Sequence, residues 1–266
     1  MRAACAAAGI DSDWVVWDDP RLDWSVYDAV VIRSTWDYHH APERFLGWCD
    51  HVGSVTRLVN PAPVARWNAH KRYLVELARA GVPVVPTGLV ERDSDEPLAA
   101  VAARHGWDEV VVKPAVGAGA EGAARLRVDD PAAERAFTAL RARGEVLVQP
   151  YVHEIERSGE VSVVLIAGEV THAVRKLPAD GEFRVQAEYG GRERAVEPTP
   201  AEVTCALGAV ACAEQIGPVT YARVDCVAVD GAPRVMELEV LEPSLYLPLA
   251  PVGTADALVA AVVAGA

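Results

Sequence analysis

The sequence contains no CxxC pair of cysteines and no run of lysines or arginines. Its five cysteines are an odd number without metal-binding spacing, which favours reduced thiols in a cytoplasmic protein over a disulfide scaffold. The absence of basic clusters and the net charge of −13 argue against a nucleic-acid-binding surface. No apolar run approaches the roughly 18 residues needed to span a bilayer, and the Ala-rich N-terminus is too short for a signal peptide. These absences predict a cytoplasmic protein that binds neither membranes nor nucleic acids.

Several catalytic signatures are also missing. The seven histidines show no H-x-x-x-H spacing, and no G-x-S-x-G or nucleophilic cysteine motif occurs, so neither zinc nor acyl-enzyme hydrolases are supported. A G-x-G-x-x-G pattern does occur, at Gly117, Gly119 and Gly122. The dinucleotide fingerprint requires a helix directly after these glycines, whereas the residues that follow, AARLRV, are typical of a strand. No Gly-Lys-Ser/Thr follows either, which excludes a Walker A loop.

The chain is long enough, at 266 residues, to bury a core as one large domain or as two to three small ones. Short apolar strands and helices alternate over residues 2–60, which predicts an α/β unit with a parallel sheet. Such a unit normally opens on a strand, but here it opens on a helix, so that a first strand is missing or the sheet is one strand short. Residues 34–38 follow a strand and form either a substrate wall or a packed loop.

The stretch from Arg223 to Ser244 predicts a β-hairpin that carries carboxylates. Alternation places Arg223 and Asp225 on one face of the first strand, and Glu237 and Glu239 on one face of the second. A two-residue turn at Asp230-Gly231 sends these acids to different faces, whereas an odd-length loop pairs Asp225 with Glu237. In the second register the three carboxylates converge and repel one another unless a cation lies among them. Hard oxygen ligands of this kind suit Mg²⁺; the alternative is a solvated edge hairpin.

Two lysines lie in positions from which they could reach a phosphate. Lys71 falls within a predicted helix over residues 64–80, and Lys113 ends the strand that precedes the glycine-rich loop. A glycine-rich loop between two strands, with a lysine on the first, is typical of a flap over nucleotide phosphates. A surface lysine and an edge-strand lysine are the respective alternatives.

A further segment has the pattern of a strand that leaves its sheet at a proline. Its backbone groups could bind the edge of an adenine; its residues are Gln149, Pro150, Tyr151 and Val152. Adjacent cations at Arg175 and Lys176 precede a polar loop that contains Arg184. These cations suit a phosphate or a carboxylate, although a solvated strand end is equally consistent with the pattern.

In this order, the features resemble those of the ATP-grasp enzymes over nearly the whole chain. The resemblance implies a mixed α/β (α+β) ATP-grasp fold, with Lys71, Lys113 and the glycine loop on the ATP phosphates. It also implies that residues 149–152 bind adenine and that Glu154 or Glu156 binds the ribose. Asp225, Glu237 and Glu239 match the Mg²⁺ ligands, with Arg223 near the γ-phosphate. Most members have Glu-x-Asn at the last two positions, so Glu239 adds one negative charge.

Three segments, VTRLVNPAPVARWNAHKRYL, GVPVVPT and MELEVLEPSLYL, are similar to ATP-grasp ligases that close the ring of D-cycloserine. Glutathione synthetase and D-alanine–D-alanine ligase resemble the chain more distantly. The resemblance implies an N-terminal domain over residues 1–62, a linker helix and lid over 63–150, and a core subdomain over 151–266.

The implied reaction activates an amino-acid-like carboxylate with ATP and joins it to an amine through an acyl phosphate. The catalytic cations are then Arg223, Arg175, Lys176 and Arg184. Cyclisation of one substrate, ligation of two substrates and a non-catalytic nucleotide-binding role remain alternatives, and homo-oligomerisation is left open.

Overall fold

The N-terminal region contains a small parallel sheet flanked by helices. The computed structural model describes residues 1–265. Helix α1 (Arg2–Ala7), strand β1 (Ala29–Val31), helix α2 (Pro42–Val55) and strand β2 (Arg57–Val59) follow in order. The two strands pair in parallel, as predicted. Residues 13–17 form no strand: Trp14 and Val16 are exposed, and Trp17 packs edge-on against Phe45. Side-chain contacts, among them the packing of Trp17 and a hydrogen bond from Tyr27 to Asp13, therefore hold a segment that has no strand partner within residues 1–265.

The helix predicted over residues 64–80 is wrong, because the structure has two helices there. These are α3 (Ala62–Asn68) and α4 (Tyr73–Arg79). The backbone N–H of Lys71 donates to the carbonyl of Ala115 at 2.7 Å, outside any helical ladder. The His70 ring also bonds the Glu145 carboxylate, with Nε2 and Oε2 2.6 Å apart. These contacts to another part of the chain outweigh local helix propensity. They hold Lys71 in the short non-helical segment between α3 and α4.

The next region is an antiparallel four-stranded sheet covered by two helices. Its elements are β3 (Gly88–Val90), α5 (Leu98–Ala103), β4 (Glu109–Pro114), β5 (Ala124–Arg127), α6 (Pro131–Arg141) and β6 (Val146–Pro150), in the strand order β3-β6-β4-β5. Its apolar core includes Val110, Val112, Phe137 and Val148. The glycine-rich loop joins β4 to β5, as predicted, so a strand and not a helix follows the glycines.

The C-terminal half is built on a five-stranded antiparallel sheet in the order β11-β10-β7-β8-β9. The elements are α7 (Glu154–Ser158), β7 (Glu160–Ile166), β8 (Glu169–Leu177), β9 (Arg192–Val196), α8 (Pro200–Glu214), β10 (Tyr221–Val229), β11 (Ala232–Glu239) and α9 (Thr254–Ala264). Helix α8 begins with a capping box between Thr199 and Glu202 and packs on the largest apolar cluster. No helix in the described part of the chain has the length and apolar character of a membrane span.

The turn of the β10–β11 hairpin contains two residues, so the two-residue alternative is the one that forms and the odd-length loop does not. Val229 pairs with Ala232 around Asp230 and Gly231, whose φ angles are 51° and 78°. Positive φ at both central residues is the requirement of a tight hairpin turn that follows strand twist, and Asp-Gly satisfies it.

A bulge in the hairpin, and not its turn, brings the carboxylates together. Cys226 pairs with Val235 but Asp225 pairs with Glu237, so the register shifts and Met236 is the extra residue. A one-residue insertion of this kind reverses which face each later side chain occupies. Asp225 and Glu237 consequently point to the same face, as the second predicted register requires.

Two buried asparagines attach the N-terminal segments to this hairpin. Asn60, only 1% exposed, donates to the carbonyls of Tyr221 and Val240 at 2.9 and 2.7 Å and accepts from the Thr220 amide at 2.7 Å. Asn68 donates to the carbonyl of Leu238 and accepts from the Val240 amide, at 2.8 and 2.9 Å. Both side chains satisfy backbone groups that would otherwise be buried without partners.

We expect Asn60→Ala to lower the free energy of unfolding by about 3 kcal/mol, because three buried backbone groups lose a partner. Urea denaturation followed by circular dichroism measures the change. Gln215→Ala, which removes an exposed carboxamide, is the matched control and should change stability little. Equal stability of the two variants would contradict a bridging role for Asn60.

Candidate active site

Three carboxylates converge on one face of the β10–β11 hairpin. Asp225, Glu237 and Glu239 each contribute an oxygen atom, and these oxygens all lie within 4.8 Å of one another. We call them the carboxylate cluster. The bulge at Met236 and the alternation of β11 produce this arrangement. A set of hard oxygen donors at this spacing suits Mg²⁺.

Asp225 lies at the centre of a buried ion network. The Arg223 guanidinium donates from Nε and Nη2 to the two oxygens of Asp225, both at 2.9 Å, and also donates to Glu239. The ammonium of Lys176 bonds Asp225 at 3.1 Å and pairs with Glu160, and the Ser162 hydroxyl donates to Asp225 at 2.5 Å. The alternation of β10 predicted that Arg223 and Asp225 share a face, and the structure pairs them. The resemblance implied a phosphate for Arg223, and the sequence suited Lys176 to a phosphate or a carboxylate; in the structure both cations bind carboxylates of the protein.

The carboxylates of the cluster have different proton affinities. Burial raises the pKa of Asp225, but Arg223 and Lys176 outweigh it and the pKa is lowered. Burial likewise raises the pKa of Glu237, and Lys71, with which it forms an ion pair, brings the pKa below its ordinary value. Burial raises the pKa of Glu239 to about 7, against the attraction of Arg223. The sequence predicted that the three carboxylates repel one another unless a cation lies among them. In the structure, the side-chain cations Arg223, Lys176 and Lys71 neutralise part of that charge.

Two further buried acids belong to this neighbourhood, and sequence reasoning missed both. Burial raises the pKa of Glu160 to about 7, although Lys176 opposes the shift. Burial, with repulsion from Glu239, raises the pKa of Glu242 to about 8. Alternation along β7 offered a signal for Glu160, because it shares a face with Ser162. Glu242 lies beyond the end of β11, where no alternation indicates its direction.

A cavity of about 830 Å³, counting the part open to solvent, lies between the two antiparallel sheets. Its wall includes Lys71, Lys113, Glu160 and Glu237 at one end and the apolar side chains of Val111, Ile155, Phe183 and Met236 elsewhere. The predicted connector also lines it, through Gln149, Pro150, Tyr151 and Val152. The structure therefore brings the two predicted lysines, the connector and one carboxylate of the cluster to a single cavity.

The lysines of the cavity differ in their partners. Lys71 pairs with Glu237; burial lowers its pKa, but this attraction outweighs burial and the pKa is raised. Within residues 1–265, Lys113 forms no ion pair with a carboxylate, and burial lowers its pKa more than Glu237 raises it. An ammonium in this state gains most from an incoming anion.

The glycine-rich loop covers the same cavity. Gly117, Gly119 and Gly122 line or adjoin it, and we call residues 117–122 the flap. Gly122 has a φ of 75°, and a Cβ atom there would lie 3.0 Å from the ring of Pro114. Glycine is therefore required at this position both for backbone conformation and for close packing.

A smaller pocket of about 240 Å³ adjoins the cavity. Lys71, Gly117, Ala118 and Glu237 line both spaces, while Glu239, Glu242 and Tyr38 line only the smaller one. Tyr38 ends the segment 34–38 that the sequence placed as a substrate wall or a packed loop. Its ring is buried and lines the pocket, whereas Ser34, Trp36 and Asp37 are exposed, so packing holds one end of the segment.

The structure does not bring every predicted residue to the cavity. The Arg175 guanidinium bonds the carbonyl of Ser158 at 2.5 Å, and Arg175 does not line the cavity. Neither Glu154 nor Glu156 lines the cavity, and Glu156 accepts from Tyr151 at 2.5 Å and from Arg125 at 2.8 Å. The adjacent residues of β8 point to opposite faces, which explains why Lys176 reaches the network and Arg175 does not.

Arg184 does line the cavity, but its guanidinium has a local partner. It donates to the Glu182 carboxylate at 2.6 and 3.0 Å and lies 3.6 Å from the centre of the Tyr189 ring. Glu182 holds the guanidinium at the cavity wall and already accepts from its Nε and Nη2 groups. A ligand in the cavity could therefore use only part of the donor groups of Arg184.

Two protein families match the chain. Residues 1–60 match the D-cycloserine synthetase DcsG N-terminal domain, and residues 77–227 match the prokaryotic glutathione synthetase ATP-grasp domain. The "Cycloserine biosynthesis protein DcsG" of Streptomyces lavendulae is 38% identical over 259 residues, covering 93% of this chain and 86% of that protein. A glutathione synthetase of Rhodopseudomonas palustris is 27% identical over 184 residues, covering 68% of this chain and 56% of that protein.

Solved structures agree with these matches. The crystal structure of D-cycloserine synthetase DcsG superposes with a TM-score of 0.89 at 36% identity, covering 99% of this chain and 92% of that one. The D-alanine–D-alanine ligase of Bacillus anthracis, complexed with ATP, has a TM-score of 0.65 at 17% identity and covers 90% and 79% of the two chains, which shows the shared fold alone. The cavity, the flap and the two families agree: this chain belongs to the ATP-grasp ligases, as a homologue of DcsG, in a family whose members form C–N bonds and convert ATP to ADP.

Proposed function

We propose that this enzyme closes a ring within one amino-acid-like substrate, as in cycloserine formation. The observation that carries the proposal is the 38% identity to DcsG, which extends over 93% of the chain. It therefore includes the N-terminal region that helps to form the small pocket. Tyr38 of this region lines that pocket together with Glu239 and Glu242, beside the carboxylate cluster. Ligation of two separate substrates is the alternative, favoured by the glutathione synthetase match over residues 77–227.

The proposed position of ATP follows from the cavity wall. The adenine would lie against Gln149, Pro150, Tyr151 and Val152, between apolar side chains, and the phosphates would lie at the opposite end beneath the flap. Lys113 would bind a phosphate oxygen directly, because its ammonium has no carboxylate partner among the described residues. Lys71 would exchange part of its interaction with Glu237 for a phosphate.

The carboxylate cluster would hold Mg²⁺. Its three oxygen donors fit the preference of this ion for carboxylates combined with phosphate oxygens. When bound, the ion neutralises charge on the phosphates. Arg223 and Lys176 then act as positioning residues, since they hold Asp225 in one orientation and Arg223 also binds Glu239, while Glu237 lines the cavity.

The proposed chemistry has two steps. A substrate carboxylate oxygen attacks the γ-phosphorus of ATP, the bond to the β-phosphate oxygen breaks, and an acyl phosphate and ADP form. An internal N–H nitrogen, which in O-ureido-D-serine is the oxygen-bound nitrogen of the ureido group, then attacks the carbonyl carbon of the acyl phosphate; phosphate leaves and the nitrogen loses its proton. No protein nucleophile is needed, so the residues contribute positioning, charge neutralisation and exclusion of water by the flap.

The reaction is tested by supplying O-ureido-D-serine with Mg-ATP and following the product by mass spectrometry together with ADP. For each ADP formed we expect one ring-closed product. Ring closure alone removes one water from the substrate, and hydrolysis of the ureido group, which releases its carbamoyl part as CO2 and ammonia, gives the free ring. ADP formation that requires two separate amino acids would replace cyclisation by ligation of two substrates.

We expect Lys113→Met to raise the Kd of ATP by about tenfold or more without lowering stability, because a charged contact is lost and no internal ion pair breaks. Lys176→Met is the contrasting variant. It leaves Glu160 and Asp225 without their shared cation and should lower the free energy of unfolding by about 3 kcal/mol or more. Calorimetric ATP titration and urea denaturation measure the two effects. A Lys113→Met protein as destabilised as Lys176→Met would show that Lys113 is structural.

Mg²⁺ affinity should weaken as the pH falls through 7. The pKa of Glu239 is about 7, and a proton on this carboxylate competes with the metal. Below pH 7 the affinity therefore decreases, by up to about tenfold per pH unit for one displaced proton. Titration of Mg²⁺ at several pH values measures the slope. Glu239→Asn, which restores the more usual Glu-x-Asn pattern, should bind Mg²⁺ with a smaller slope, and identical slopes would exclude Glu239 as the titrating ligand.

A further inference from the structure

Two histidines and a glutamate converge where the flap meets the N-terminal region. The Nε2 atoms of His39 and His40 lie 3.1 and 3.8 Å from Oε2 of Glu121. One ligand atom from each of the three residues lies within 4.8 Å of the others. When zinc–ligand bonds are about 2.0–2.2 Å long, the ligand atoms of a tetrahedral site lie about 3.3 Å apart. The separations of 3.1 and 3.8 Å between the histidine nitrogens and the Glu121 oxygen therefore suit a shared ion.

The hydrogen bond on the far side of the His39 ring determines where its proton lies. Nδ1 is 2.9 Å from the backbone oxygen of Trp36, which can only accept, so Nδ1 carries a hydrogen. In neutral His39 the Nε2 atom is therefore a lone-pair acceptor that faces the carboxylate of Glu121. Two acceptors at 3.1 Å require a positive charge between them, either a proton or a metal ion.

The second imidazole supplies a third ligand atom at the same place. His40 approaches the same Glu121 oxygen, and its ring centre lies 4.1 Å from that of His39. A single metal ion can bind both imidazole nitrogens and the carboxylate oxygen together. The Nδ1–H bond from His39 to a backbone carbonyl is also the usual outer contact of a metal-bound histidine.

The histidines follow a segment, residues 33–38, that is bonded to the rest of the protein; we call this segment the N-terminal platform. The Trp36 indole donates to the carbonyl of Glu242 at 3.1 Å, and Arg33 donates to the carbonyl of Pro243 at 3.1 Å. The buried Tyr38 ring packs against Phe45. The histidine ligands are therefore held by the exit of the β10–β11 hairpin.

Glu121, in contrast, belongs to the flap. It follows Gly119 and Ala120, whose φ angles are 60° and 57°, and its side chain is 57% exposed. Ala118 of the flap packs against the N-terminal apolar cluster. A bond to Glu121 would consequently hold the flap in the position that covers the cavity.

We propose that His39, His40 and Glu121 bind a borderline transition-metal ion such as Zn²⁺, and that the ion fastens the flap to the N-terminal platform. The site differs from the carboxylate cluster in its ligands, because imidazole nitrogen favours zinc and all-oxygen sets favour magnesium. Zinc at this site restricts opening of the flap and thereby slows exchange of whatever occupies the cavity.

Zinc binding to the full chain is tested by calorimetry with ZnCl₂ in excess Mg²⁺, which occupies the carboxylate cluster. We expect one zinc per chain, with the affinity at least about tenfold lower in His40→Ala and in Glu121→Gln. His51→Ala, at an exposed histidine of α2, is the matched control and should bind as the wild type. The titration needs no nucleotide, so its failure is distinct from failure of the proposed ligase reaction.

Absence of stoichiometric binding, or equal affinity in wild type, His40→Ala and Glu121→Gln, would overturn the site. The link to the flap is tested by hydrogen exchange of the backbone amides of residues 116–123. Zinc should slow exchange there in the wild type and in His51→Ala but not in Glu121→Gln. Zinc binding without any change in flap exchange would refute the fastening role.

Discussion

The bidentate ion pair between Arg223 and Asp225 is the interaction on which the candidate site depends. Asp225 is 2% exposed, and its two oxygens accept from Arg223, Lys176 and Ser162. A buried carboxylate without such donors would take up a proton or destabilise the fold. Because these donors hold Asp225 charged and in one orientation, the face that it shares with Glu237 and Glu239 is organised before any ligand arrives.

This network separates the cations of the site into two groups with different roles. Arg223 and Lys176 are almost fully buried and neutralise acids, so their contribution is to the position of the carboxylates. Lys113 has no such ion-pair partner among the described residues and faces the cavity, where nearby carboxylates offset only part of the free-energy cost of its burial. An anion that binds there neutralises the buried ammonium and removes that cost. The free energy gained in this way contributes to the affinity of the site for the anion.

The site also depends on how three regions of the chain meet at the hairpin. Asn60 and Asn68 attach the N-terminal segments to strands β10 and β11 through buried backbone groups. The break between α3 and α4 places Lys71 beside Glu237, and the amide of Lys71 bonds the residue that begins the loop after β4. Lys71, which lines both the cavity and the small pocket, is therefore bonded through its backbone to the start of the loop that contains the flap.

The sequence by itself determined the fold class, the succession of most strands and helices, and the residue types of the site. Alternation of side chains sufficed to place Glu237 with Glu239 and Arg223 with Asp225, because a strand exposes every second residue to one face. Only the tertiary structure decided the bulge at Met236, since register depends on the partner strand and not on local pattern. It likewise decided the helix break at Lys71 and the burial of Glu160 and Glu242, because distant contacts outweigh local propensity and set the solvation of each charge.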